Sequence, residues 1–140
     1  MDNVLIKTDV ILDFFFDRKP FAEFATELFV LCETEQIKGY TTAVIISNVY
    51  YLLRKTAPHD IIIEKLKQLL VIIDVVIMDR EVVIDALNSK FKDFEDALQN
   101  YSAINNGTIQ IILTRNIKDF QNSSLAIISP EMFLKNRIKL

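Results

Sequence analysis

The stretch VLIKTDVILDFF, residues 4–15, decides how this chain is read. Val4, Leu5 and Ile6 form a continuous apolar run, the pattern of a strand buried on both faces, and the strand is expected over Asn3 to Lys7. From Val10 the apolar residues are too dense for a surface helix, which predicts a short buried one. Lys7, Thr8 and Asp9 stand at the junction, and Asp13 follows one helical turn later. A strand that runs straight into a helix opens an α/β unit. Here it sets a lysine beside an aspartate at the rim of the core.

The rest of the chain continues the alternation. Pro20 opens a helix whose stripe is Phe21, Phe24, Ala25, Leu28, Phe29 and Cys32; Gly39 ends that segment, and YTT is a short strand or turn. AVIISNVYYLLRK reads as a helix stopped before Pro58, and a further helix runs from about His59 to Leu70. VIIDVVIM has the β-branched density of a buried strand. Asp79 caps a helix over DREVVIDALNS, and Asn106-Gly107 closes another that begins near Asp93. TIQIILTR and SLAIIS are strands, and Pro130 opens a C-terminal helix. Strands alternating with helices over short connections imply an α/β domain with a parallel sheet.

At 140 residues one domain spanning 1–140 is expected, large enough to bury a core without a disulfide or metal staple. No apolar run nears the ~18 residues of a membrane helix, and the N-terminus lacks a secretory pattern, so no membrane association is expected. Cys32 is the only cysteine, lies on an apolar stripe and reads as core. A cytoplasmic setting follows. The net charge of −3 gives no global electrostatic footprint for nucleic acid, so any such ligand needs a local basic patch. Gly39 and Gly107 stand alone, which excludes a glycine-rich phosphate loop.

In parallel sheets ligands bind beyond the carboxyl ends of the strands, where the strand order reverses. Polar residues expected at such ends are Lys7, Thr8 and Asp9, then Thr114, Arg115 and Asn116 with Asp119 beyond, and Asn48, which interrupts an apolar helical face. Asp93 and Asp96, three apart at a helix start, can point the same way. Each has an ordinary reading as well. Asp9 and Asp93 suit helix N-caps, acids are favoured in first turns, and Asp13, Asp17 and Asp60 read as solvated or capping. His59, the single histidine, has no partner in view, which disfavours Ser-His or His-metal chemistry. Carboxylates converging at one sheet end repel unless a cation or protons neutralise them, and Mg²⁺ or Mn²⁺ is the usual solution.

TDVILDFFFDRKPF, TAVIISNVYYLLRK, FKDFEDALQNYSA and LTRNIKDF, in this order and spacing, resemble the PIN domain family, and the chain is similar to its small stand-alone bacterial VapC-type toxins. The resemblance implies a Rossmann-like three-layer α/β/α sandwich with a central parallel sheet. It also implies a Mg²⁺- or Mn²⁺-dependent ribonuclease acting on single-stranded or structured RNA, a homodimer, and an antitoxin partner. Carried over by position, the family's first metal-binding aspartate is matched by Lys7, its second acid by Asn48, its third by Asp96 and its fourth by Asn116. Asp9, Asp93 and Asp119 are additional acids nearby.

In the nuclease reading Asp9, Asp93, Asp96 and Asp119 hold the cation. Asn48 and Asn116 orient ligands or water, Thr114 meets a substrate phosphate, and Arg18, Arg54, Lys55 and Arg115 meet the RNA backbone. The four matched positions sum to zero charge, because Lys7 cancels Asp96. Besides a change peculiar to this one chain, two readings of Lys7 stay open. Its ammonium pairs with Asp96, Asp93 or Asp9 and takes the metal's place, or Asp9, two residues on, replaces the missing ligand. The first makes the chain a catalytically impaired PIN-fold binding module.

Overall fold

The computed structural model describes residues 1–138. In chain order the elements are β1 (Asp2–Ile6), α1 (Thr8–Phe15), α2 (Phe21–Glu33), β2 (Ile37–Thr42), α3 (Ala43–Leu53), α4 (His59–Ile72), β3 (Ile73–Val76), α5 (Arg80–Leu87), α6 (Phe94–Asn106), β4 (Ile111–Leu113), a 3-10 turn (Ile117–Phe120), β5 (Ala126–Ile128) and α7 (Pro130–Ile138). The sheet order is β3-β2-β1-β4-β5 and every pairing is parallel. Helices cover the sheet to give a three-layer α/β/α sandwich. No helix among the described residues is long and apolar enough to cross a membrane.

The apolar run that opens the chain explains the centre of the sheet. Val4, Leu5 and Ile6 are fully buried because β1 has a strand on each side and helices on both faces. The chain leaves β1 towards β2 and β3 on one side and returns to β4 and β5 on the other. The order therefore reverses between β1 and β4, and their adjoining carboxyl ends form the switch-point crevice. The backbone N–H of Lys7 donates to Leu113 O at 3.1 Å, so the two ends are level.

Several boundaries depart from the sequence reading. Gly39 does not end a helical segment but sits inside β2, paired with Val4 and Ile73. A Cβ there would lie 2.7 Å from Cys32 Sγ and 2.9 Å from Ile73 Cγ2, so glycine is required by close packing of α2 and β3. β3 is shorter than VIIDVVIM, because pairing begins only at Ile73 and Val71 and Ile72 finish α4. β4 likewise keeps only Ile111–Leu113 of TIQIILTR, and the turn at Ile117–Phe120 was not foreseen. Hydrogen-bonded partners, not β propensity, set these limits.

Gly39→Ala is expected to lower stability by about 1–3 kcal/mol in urea denaturation, through overpacking. In a Cys32→Ala background the loss should be smaller, because Sγ is the nearest obstructing atom; equal losses would show that the contact does not limit the site.

Candidate functional site

Lys7 follows β1 and is the N-cap residue of α1, in extended conformation. Its side chain runs along the crevice with only 5% of the residue exposed. The ammonium donates to both carboxylate oxygens of Glu95 at 3.0 Å and lies 3.3 Å from Asp96 Oδ1. Its Nζ is also 5.7 Å from the centre of the buried Phe120 ring. A lysine this buried needs charged partners, and α6 supplies two from its first turn.

That turn is built by local sequence. Asp93 is the N-cap of α6, its Oδ1 accepting from the Asp96 N–H at 2.9 Å, and Glu95 and Asp96 follow at the positive end of the helix. Gln99, fully buried one turn later, donates to Glu95 Oε1 at 2.9 Å and accepts from Thr42 Oγ1 at 2.7 Å. Thr42 in turn caps α3 by accepting from Ile45 N. A continuous polar path thus joins the ends of β1 and β2 to α6. Burial raises the Asp96 carboxyl to about 6; Lys7 pulls it down, while Asp93 and Glu95 push it further up.

A second acid–base group locks β4. Asp9 is not the N-cap of α1; it lies in the first turn, and its carboxylate accepts from Thr114 Oγ1 at 3.0 Å and from Arg115 N at 2.8 Å. Asp13, one turn along the same face, is buried rather than solvated. It takes a two-pronged bond from Arg115, Nε at 2.7 Å and Nη2 at 2.9 Å, and pairs with Arg18 Nε at 2.9 Å. Asp13 strengthens the Arg115 guanidinium's hold on its proton, and that group stacks 3.9 Å from the centre of the Phe21 ring.

The sequence-derived residues therefore fall into groups. Lys7, Asp93 and Asp96 meet, joined by Glu95. Asp9, Thr114 and Arg115 meet one another, and Arg115 and Arg18 are held by Asp13. Asn48 is half-buried on α3, Asn116 and Asp119 are exposed around the 3-10 turn, and Arg54, the residue that ends α3, donates from Nη1 to Ala57 O in the following loop. His59 does have a partner, its Nδ1 lying 2.7 Å from the Tyr50 hydroxyl. Sequence reasoning missed Glu95 and Gln99, and it read Asp13 as solvated or capping where the structure buries it. The signal for Glu95 and Gln99 was their i,i+4 spacing, and for Asp13 its i,i+4 relation to Asp9.

Asp93, Glu95 and Asp96 each offer a carboxylate oxygen within 4.8 Å of one another, hard donors of the kind Mg²⁺ and Mn²⁺ take. Asp9 and Asp119 lie outside this set. The Lys7 ammonium already touches two of the three acids. A dication ligated by Glu95 and Asp96 would sit roughly 4 Å from it, a repulsion of about 8 kcal/mol at an effective dielectric near 20. With Lys7 in this position the residues do not fit a divalent cation.

A family model described as PIN domain matches residues 3–118. No curated protein matches the sequence. Among solved structures the chain is similar to VapBC2 of Rickettsia felis bound to a promoter DNA fragment, with TM-score 0.68 and 13% identity over 91% of this chain and 97% of that one. A toxin–antitoxin complex from Klebsiella pneumoniae gives TM-score 0.68 and 17% identity over 91% and 97%. VapC20 of Mycobacterium tuberculosis, a sarcin–ricin loop cleaving toxin, gives 0.58 and 13% over 78% and 86%. At such identities these likenesses speak to the fold alone.

Two measurements probe the site. A carboxyl raised by folding stabilises the fold in its protonated form, fully below its ordinary value of 3.8 and no longer once pH has risen through about 6. Relative to Asp96→Asn, the metal-free native protein should therefore lose on the order of 2–3 kcal/mol of unfolding free energy between pH 4 and pH 7. A constant difference across that range would refute the raised value. Asp13→Ala should cost about 2–4 kcal/mol in denaturation at pH 7, less than a fully buried pair because both arginines can rehydrate.

Proposed function

Given that the chain belongs to the PIN domain family, we propose that it is a toxin-type PIN protein on the scaffold of a Mg²⁺- or Mn²⁺-dependent endonuclease of single-stranded RNA, in which the Lys7 ammonium takes the cation's place and holds cleavage off. One observation carries this reading: Lys7 Nζ lies 3.0 Å from both Glu95 oxygens and 3.3 Å from Asp96, at the carboxyl end of the central strand. The lysine supplies the positive charge that the acidic turn of α6 requires.

RNA as substrate class is supported by the family and by the likeness to a toxin that cleaves the sarcin–ricin loop. An antitoxin partner is supported by the likeness to two toxin–antitoxin assemblies. A homodimer and a cytoplasmic setting belong to the same reading.

A second reading is favoured by the convergence of Asp93, Glu95 and Asp96. In it the native chain is an active enzyme, with Asp93, Glu95 and Asp96 holding Mg²⁺ or Mn²⁺ and Asn48 and Asn116 orienting ligands. It requires Lys7 to leave the position observed here.

Mn²⁺ titration followed calorimetrically, with single-stranded RNA cleavage assayed in parallel, separates the two. The native protein should bind Mn²⁺ weakly and leave RNA intact. Lys7→Asp should bind it at least ~100-fold more tightly, since removing even part of the repulsion exceeds the roughly 2.7 kcal/mol this represents, and should gain cleavage. Native cleavage that disappears in Asp96→Asn would overturn the silenced reading in favour of the second.

A further inference from the structure

We infer that the outer face of α3 is a binding track for single-stranded RNA, with Tyr51 stacking against a base and Arg54 and Lys55 holding the backbone. This deepens the RNA-binding part of the proposed function and rests on it.

The argument begins with helical spacing. Ile45, Val49 and Leu53 are the buried positions of α3. Val44, Asn48 and Tyr51 fall at i, i+4 and i+7 on another face, and Lys55 continues the stripe in the turn beyond. Val44 packs on the small apolar cluster of α5 and α6, so the stripe starts beside the helix that carries Glu95 and Asp96. From there it passes the half-buried Asn48 and reaches open solvent at Tyr51, roughly 16 Å from Val44 to Lys55. The upper end of the stripe thus lies on the α5–α6 side of the sheet.

Tyr51 is 68% exposed, more than any other aromatic ring among the exposed large hydrophobics, so its face is open to a stacking ligand. It is nevertheless held. Tyr50 meets it edge to face, with centroids 5.0 Å apart and planes at 89°, and the Tyr50 hydroxyl is anchored to His59 Nδ1 at 2.7 Å. A ring fixed in this way loses little freedom when a base stacks on it, and stacking accepts any base because every base has a π-face. Arg54 and Lys55 follow three and four residues along the chain, one helical turn beyond the ring. Among the described residues neither lies within ion-pair distance of a carboxylate, a property shared with several other lysines of the chain; around these two, however, no Asp or Glu stands in the sequence between Glu35 and Asp60. In a chain of net charge −3, these cations together with an exposed aromatic ring suit a single-stranded polyanion.

The test is fluorescence anisotropy of a labelled single-stranded RNA decamer, without divalent metal, on the native protein and three variants. Native binding is expected, with Tyr51→Ala weakening it roughly 5- to 150-fold and Tyr51→Phe retaining it. Arg54→Ala/Lys55→Ala should flatten the salt dependence by about 1.4 in log–log slope. If Tyr51→Ala is poorly folded by circular dichroism, the double variant and Tyr51→Phe still decide. Unchanged affinity in Tyr51→Ala, or an unchanged salt slope in the double variant, overturns the track. So does failure of the native protein to bind RNA, and so does a Tyr51→Ala defect confined to a protein partner. Cleavage by Lys7→Asp would in each of those cases leave the proposed function standing.

Discussion

A buried primary amine at the end of a central strand constrains everything around it. Lys7 is nearly inaccessible, so its charge must be met within the protein, and two carboxylates from the opening turn of α6 do so. Those carboxylates would otherwise repel each other and Asp93 across a few ångströms, at a helix end whose dipole already draws them together. The buried amine needs the acids, and it relieves part of their mutual repulsion. Their pairing fixes where α6 starts relative to β1, and through Gln99 and Thr42 it extends to the start of α3.

The other side of the crevice is organised by the same logic with arginine. Asp9 and Asp13 project from one face of α1 towards the end of β4. Asp9 takes a backbone N–H and a hydroxyl, and Asp13 takes the planar fork of Arg115. A side chain so engaged has little freedom to meet any other group. One crevice therefore carries two acid–base networks: that of Asp9 and Asp13 is balanced by Arg18 and Arg115, whereas Lys7 offsets only part of the charge of Asp93, Glu95 and Asp96.

Much of the fold could be read in the sequence, because burial leaves a periodic trace. Val4 to Ile6 announced a strand covered on both faces, the 3.6-residue stripe from Phe21 to Cys32 announced α2, and Asp79, Asp93 and Gly107 marked the helix ends they do occupy. Errors gathered at strand limits, at Gly39 and in β3, where pairing with a neighbour outweighs the preference of single residues.

By itself the sequence determined the alternation of strands and helices, the family pattern, and the presence of a lysine where an acid was expected. The tertiary structure alone decided which acid meets which base. Glu95 and Gln99 gain their roles because α6 is laid against the ends of β1 and β2, and Asp13 because α1 is laid against β4. Those partners stand 88, 57 and 102 residues apart in the chain. Local patterns record what a residue is buried in, whereas a charge finds its counter-charge only when distant segments are brought to the same place.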